Sequence, residues 1–296
     1  MTGSAAAPRG WLDTLVDFAR ARPGTTLAIL LGFHLVVWTV LPALLSQNLQ
    51  LDLAEDLALG KEWQLGYWKH PPLPWWIAEF TYQATGRIAA IYVLGPLSAV
   101  VCLAVVWLLA RELVGGFQAL IAVAVLEGAH FYNFSVPKFA HDQVQLPFWA
   151  LTGLFFCRAL LHGRVRDWAL AGAMLALCFW SKYAAFALAA SLALFLLFDR
   201  DARRTLVTPK PYVMAAVFLV VIAPNLWWLV THDFMPFRYV DARARLAVTL
   251  VEDVTFPLRW IGGQIFFLLP TLALLALAYW PRPAAAAPAP GSEAFA

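Results

Sequence analysis

Long apolar stretches, each closed by a few polar or charged residues, recur along the chain. They predict eight membrane-crossing helices, at roughly 25–46, 88–110, 115–133, 143–161, 168–181, 183–198, 211–230 and 258–280, because a span takes about 20 apolar residues. The fifth and sixth are short and are split only by Ser181-Lys182-Tyr183. One long kinked span is the alternative there. No window alternates in the manner of a membrane β-barrel strand. The first stretch, about 22 residues preceded by Arg20 and Arg22, exceeds a signal-peptide core of about 7–15 residues and reads as an uncleaved anchor. Residues 10–20 ahead of it have the pattern of a short amphipathic surface helix. We read them simply as the lead-in to the anchor.

Composition narrows the class. Of 296 residues, 62% are hydrophobic and 13% charged, against about 45–50% and about 25% in soluble domains. That excludes a soluble globular protein and a disordered chain. A net charge of +3 with no basic stripe excludes a nucleic-acid binder. Cys102, Cys157 and Cys178 lie inside apolar runs without CxxC spacing and read as membrane-buried thiols.

Lysine and arginine in short loops set the orientation. Arg111, Arg164, Arg166, Arg200, Arg203, Arg204, Lys210 and Arg282 fall on one side, joined by Arg9, Arg20 and Arg22 if the span count is even. That side is expected to be cytoplasmic and to hold both termini. The division is then a cytoplasmic segment 1–24, a transmembrane domain 25–280 and a Pro/Ala-rich disordered tail 281–296. Two longer outer loops, about 47–87 and 231–257, lie opposite. No internal repeat is visible.

The first outer loop is too long for a mere connector. Its first half reads as a helix, with Leu51, Ala54, Leu57 and Ala58 on one stripe and Asp52, Glu55 and Asp56 at i, i+3 and i+4 on the opposite face. Three carboxylates that close repel one another unless a cation or substrate intervenes; a solvated acidic face is the plain alternative. Its second half, Gly66-Tyr67-Trp68-Lys69-His70-Pro71-Pro72-Leu73, joins aromatics, a cation, an imidazole and a rigid Pro-Pro. The prolines fix their own φ and push His70 towards an extended conformation. Trp63, Tyr67, Trp68, Trp75, Trp76 and Tyr82 offer faces for sugar rings or, for most of them, an interfacial aromatic belt.

Asp52 followed by Gly66-Tyr-Trp-Lys-His-Pro-Pro-Leu resembles the first periplasmic loop of bacterial membrane glycosyltransferases of family 39. These stand with the protein O-mannosyltransferases and the lipid A aminoarabinose transferases in the C-type glycosyltransferase fold. The family sets an acidic residue about eighteen positions ahead of its His- or Lys-Pro-Pro element; here Asp52 lies eighteen residues before His70. Further blocks resemble the family in order: His141-Asp142-Gln143-Val144, Ser181-Lys182-Tyr183, and Pro224-Asn225 through His232-Asp233 to Phe237-Arg238. Two departures stand out. Many relatives carry consecutive Asp-Glu where this chain has Asp52-Leu53, and Glu55 is the expected substitute. Relatives also carry more membrane spans.

The resemblance implies an all-α polytopic bacterial inner-membrane protein. It would transfer a sugar from a polyprenyl-phosphate donor to a lipid, polysaccharide or protein acceptor on the periplasmic side, with inversion. Asp52 is the expected base, with Glu55 and Asp142 orienting the acceptor or tuning Asp52. A nearby carboxylate raises a base's pKa. Lys182 is the first candidate for the lipid phosphate; a lysine there also has an inert reading, snorkelling to the interface. Lys69, His70 and Arg238 follow, then Arg243 and Arg245. Tyr67, Trp68 and His232 are acceptor or sugar candidates. A divalent metal shared by His70, His232 and a carboxylate is a lesser reading without ligand spacing. Glu127, inside the third span, needs a partner, a proton or the outer surface, and His130 one turn on is the nearest candidate. Two other classes stand as alternatives: a transporter or flippase of lipid-linked sugars, and a truncated non-catalytic membrane subunit. Charges gathered in outer loops, with no repeat, favour the enzyme over the transporter.

Overall fold

The computed structural model describes residues 10–46, 48–243 and 249–279. Its elements are helices; no strand occurs among the described residues. In chain order they are α1 (Trp11–Ala21), α2 (Pro23–Leu45), α3 (Leu51–Gly60), α4 (Leu73–Thr85), α5 (Leu94–Arg111) and α6 (Gly116–Glu127), then α7 (His141–His162), α8 (Val165–Ser181), α9 (Phe186–Phe198), α10 (Lys210–Thr231), α11 (Met235–Arg243) and α12 (Leu250–Tyr279). The tail 281–296, Arg9 and Arg245 lie outside the described residues, as does the side chain of Arg243.

Each expected span coincides with a helix, but not each is long enough to cross. Among the described residues, four helices are long and apolar enough: Pro23–Leu45, Ile88–Arg111, His141–His162 and Lys210–Thr231. Helix α6 ends at Glu127 rather than near 133 and, at 12 residues, rises only about 18 Å against a hydrocarbon core of about 30 Å. Asn133 explains the early stop. Its amide donates to the carbonyls of Glu127 and Ala129, which offers the backbone an alternative to the helical ladder. Short 3-10 turns at His130–Tyr132 and Val136–Lys138 follow.

The break at Ser181-Lys182-Tyr183 separates two helices. Leu175 of α8 lines one cavity with Leu192 and Leu196 of α9 and Met214 of α10. Helix α9 therefore folds back beside α8, and the single kinked span is excluded.

Helix directions follow from paired residues. Leu97 and Ser98 of α5 sit with Val144 and Pro147 of α7, while Glu112, just past α5, bonds Arg158 and His162 near the end of α7. Those two helices run parallel. Gly163, with φ +64, takes the left-handed conformation that glycine tolerates and turns the chain into α8. Helix α10 runs parallel to α8, as Gly172 abuts the Met214 carbonyl and the Trp180 indole donates to the Val221 carbonyl at 3.0 Å. Small residues make such contact possible: Ala171, Gly172 and Ala176 are buried along α8. In lipid, close backbone approach of this kind, rather than water exclusion, holds helices together.

These directions bring the start of α7, the end of α8 and the end of α10 to one end of the bundle, together with α3 and α4. The Glu112–Arg158–His162 cluster marks the opposite end.

Candidate functional site

Helix α3 forms where the sequence pattern placed it but presents the other face. Leu53, Asp56 and Gly60 are buried, whereas Leu51 is 82% exposed and Ala54 and Ala58 are exposed too. Most of the expected apolar stripe faces out, with only Leu57 packed partly inward, and the acidic face turns inward. The fold supplies that face with polar neighbours, Lys69 and Trp75. Gly60 allows the approach, since a Cβ there would strike the Trp75 carbonyl and the Glu79 side chain.

The segment between α3 and α4 is pinned at several points. The Tyr67 hydroxyl donates to the Leu59 carbonyl at 2.8 Å and accepts from the Gln64 amide. Burial pushes its pKa up. At 2% exposure Tyr67 is a strut inside the fold. Asn225 of α10, fully buried, donates to the Leu65 carbonyl at 2.7 Å and accepts from the Tyr183 hydroxyl at 3.2 Å. Gly66 lies flat against the Trp228 ring, with no room for a Cβ. Asn225→Ala is expected to cost about 1–3 kcal/mol, the penalty for orphaning buried partners. A thermal-shift measurement on detergent-solubilised protein checks it; an unchanged Tm would mean the segment is held elsewhere.

Onto this frame come the charged residues of three separated segments. Lys69 pairs with Glu55 at 2.7 Å, both side chains about one-fifth exposed. Lys182, just past α8, pairs with Asp142 of α7 at 2.7 Å. Gln145, one turn along α7, donates to the carbonyls of Cys178 and Lys182 and so fixes the end of α8 beside Asp142. Between the two ion pairs lies His70, its ring 4.1 Å from that of His141. Lys69, Lys182 and Asp142 all lie within electrostatic reach of it. Asp52 is half-buried, within electrostatic reach of Asp56 on the same helix. The result is one cluster of Glu55, Lys69, His70, Asp142 and Lys182, which Asp52 adjoins through Glu55 and Asp56 of its own helix.

His70 is not a cation here. Burial first, and the two lysines after it, lower its pKa to about 4. It enters the site as a neutral imidazole, able to donate or accept but not to carry the charge expected of it. His141, its ring partner, stands in the family-like block beside Asp142 but carries no role in the sequence reading. Its position at the first turn of α7 was the available signal.

Other candidates fall elsewhere. The Arg238 side chain is 71% exposed, its nearest carboxylate Asp233 at 3.9 Å. His232 stacks on Trp228 at 4.2 Å and bonds the Trp228 carbonyl. Trp68, 44% exposed, meets Tyr239 edge-on. No group of three His, Cys, Asp or Glu able to hold a metal occurs among the described residues, and His70 and His232 have separate partners. Glu127 finds a partner, but it is His34 of α2 at 2.5 Å rather than His130. His130 stacks instead on Phe134 and Phe267.

Fold and site together define a multi-pass helical membrane protein with a cluster of acids, lysines and imidazoles at one end of its bundle. Residues 69–228, more than half the chain, match the family described as dolichyl-phosphate-mannose-protein mannosyltransferase, and the chain belongs to that family. It is also similar to the lipid A galacturonosyltransferase RgtD of Rhizobium johnstonii, 27% identical over 258 residues, which cover 83% of this chain and 53% of that protein. The chain thus spans about half the length of the curated relative it matches. No solved structure matches it.

Proposed function

We propose that the chain carries the reaction site of a bacterial inner-membrane glycosyltransferase that moves a sugar from a polyprenyl-phosphate donor to an acceptor on the periplasmic side. The observation that carries this is the convergence of Glu55, Lys69, His70, Asp142 and Lys182 beside Asp52. Family membership makes glycosyl transfer the chemistry to assign to it.

The step needs few parts. The acceptor oxygen attacks the anomeric carbon on the face opposite the phosphate, which inverts the centre. The bond from that carbon to the phosphate oxygen breaks, and its electron pair leaves with the phosphate. Asp52 takes the acceptor's hydroxyl proton as general base. Phosphate is a good leaving group, so fixed positive charge matters more than a strong acid. Lys182 and Lys69 supply that charge by exchanging their carboxylate partners for the phosphate. His70, uncharged, offers a hydrogen bond from between them.

The lipid chain has a place beside this end. An apolar cavity of about 200 Å³, lined by Phe179, Tyr183, Phe186, Ile222 and Phe237 among others, begins one residue from Lys182. Eight crossings, the short helices such as α6 completed by the turns that flank them, both termini in the cytoplasm and the two longer loops outside complete the topology we propose. The name of the Rhizobium relative suggests the first substrates to try, a polyprenyl-phosphate galacturonate and lipid A.

The test is transfer of label from a polyprenyl-phosphate sugar to extracted lipid, polysaccharide or protein, in membranes containing the full chain. Label on an acceptor supports the reading. Label that crosses the bilayer of proteoliposomes without acceptor would instead mark a transporter. The same assay with the chain purified alone separates a self-sufficient enzyme from one that needs other membrane components.

A further inference from the structure

The third acid of α3 differs from its neighbours. Asp56 is 1% exposed, whereas Asp52 and Glu55 are half-buried. Glu55 has Lys69 in contact. Among the described residues no cation is in contact with Asp56, and its Oδ2 closes no hydrogen bond. The indole N–H of Trp75, on a fully buried ring, closes no bond at full hydrogen-bond geometry but lies close enough to the Asp56 carboxyl to act on it. Trp75 meets Tyr67 and His141 edge-on, so it joins the acidic helix to the imidazole pair. Asp52 and Asp56 are one turn apart on α3, as i and i+4, and therefore neighbours on one face.

We propose that Asp56 is a positioning residue that works as the neutral acid: one turn behind Asp52, it leaves the negative charge of the pair on Asp52 and seats α3 against Trp75. The proposal rests on the reading of Asp52 as the base. A carboxylate sealed from water without a cation protonates rather than stay charged. The groups facing Asp56 are Asp52 and Glu55 from its own helix, Lys69 from the connecting segment and Trp75 from α4. Burial, then the two carboxylates, raise its pKa well above the ordinary range, and Trp75 and Lys69 reverse only part of that. No bond to Asp56 forms or breaks during transfer. The acceptor proton goes to Asp52, and a neutral Asp56 sets no second charge beside it.

Stability shares the same sign. The folded-state pKa of Asp56 is raised, so its protonated form favours folding at low pH. That contribution is lost as pH rises from the unfolded value through the folded one. Asp56→Asn cannot ionise and should hold its Tm over that range while the wild type declines.

The decisive experiment uses the full chain in lipid nanodiscs. Infrared difference spectra at neutral pH, wild type against Asp56→Asn, should contain a protonated-carboxyl C=O band that the variant lacks. Asp56→Glu, which shifts such a band rather than removing it, assigns it should Asp56→Asn fail to fold. In the transfer assay, Asp56→Asn should work at close to the wild-type rate near neutrality and lose the wild type's alkaline decline. An absent band, a dead but folded Asp56→Asn, or an unchanged alkaline decline would overturn the proposal. The spectra need no turnover. If Asp52→Asn proves fully active, the base assignment fails while the infrared band still decides the state of Asp56.

Discussion

Replacing Asp52 by Asn is expected to lower the transfer rate by about 10²- to 10⁴-fold, the usual contribution of a positioned general base. Asn keeps the shape and the half-buried setting of the side chain on α3 but cannot accept the hydroxyl proton. Donor affinity should survive, because the phosphate is assigned to Lys182 and Lys69, which pair with Asp142 and Glu55 rather than with Asp52. The result to look for is therefore a fall in kcat at nearly constant donor KM. Initial rates with labelled donor, at several donor concentrations, measure both. A full wild-type rate would remove Asp52 from the mechanism.

Lys182→Ala should act on the other parameter. A hydrogen bond to a charged group is worth about 1.5–3 kcal/mol, so donor KM should rise roughly tenfold to a hundredfold at about 1.4 kcal/mol per decade. Lys182→Arg keeps the charge but replaces a compact ammonium by a planar fork, and should recover part of the loss. The ion pair adds a complication that can itself be measured. Lys182→Ala leaves Asp142 without its partner, so Asp142→Asn in the same background should recover donor affinity by removing a carboxylate that repels phosphate. If donor KM is unmoved in Lys182→Ala, the lysine serves only to anchor the end of α8.

The helical positions were legible because membrane spans are written in simple runs of apolar residues. Their ends were less so. The third expected span, α6, stops early because of Asn133, and a side chain that takes backbone carbonyls leaves no trace in hydropathy. The inward turn of the acidic face of α3 was hidden for a similar reason. Amphipathic logic assumes that the apolar side is covered by protein, yet Leu51, Ala54 and Ala58 lie outside. At a membrane surface, polar faces can turn inward where a cluster receives them.

The site was legible in its residue types but not in its pairing. Asp52, Lys69, Asp142 and Lys182 could be picked out by resemblance, block by block. That Lys69 holds Glu55 and Lys182 holds Asp142 depends on helix directions that no local motif encodes. The neutral state of His70 was invisible because it arises from burial and from two lysines, one of them distant in sequence. The same holds for Glu127, whose partner His34 lies on a helix far away in the chain.

The central claim is that a lipid-linked phosphate docks where α7 begins and α8 ends. Photo-crosslinking tests it most directly, with a diazirine-bearing polyprenyl phosphate irradiated with the full chain in nanodiscs and the adducts mapped by mass spectrometry. The account predicts adducts in the peptides holding Lys69–Pro71, His141–Asp142 and Lys182–Tyr183, competed away by unlabelled polyprenyl phosphate. Adducts confined to the opposite end, around Glu112, Arg158 and His162, would contradict it.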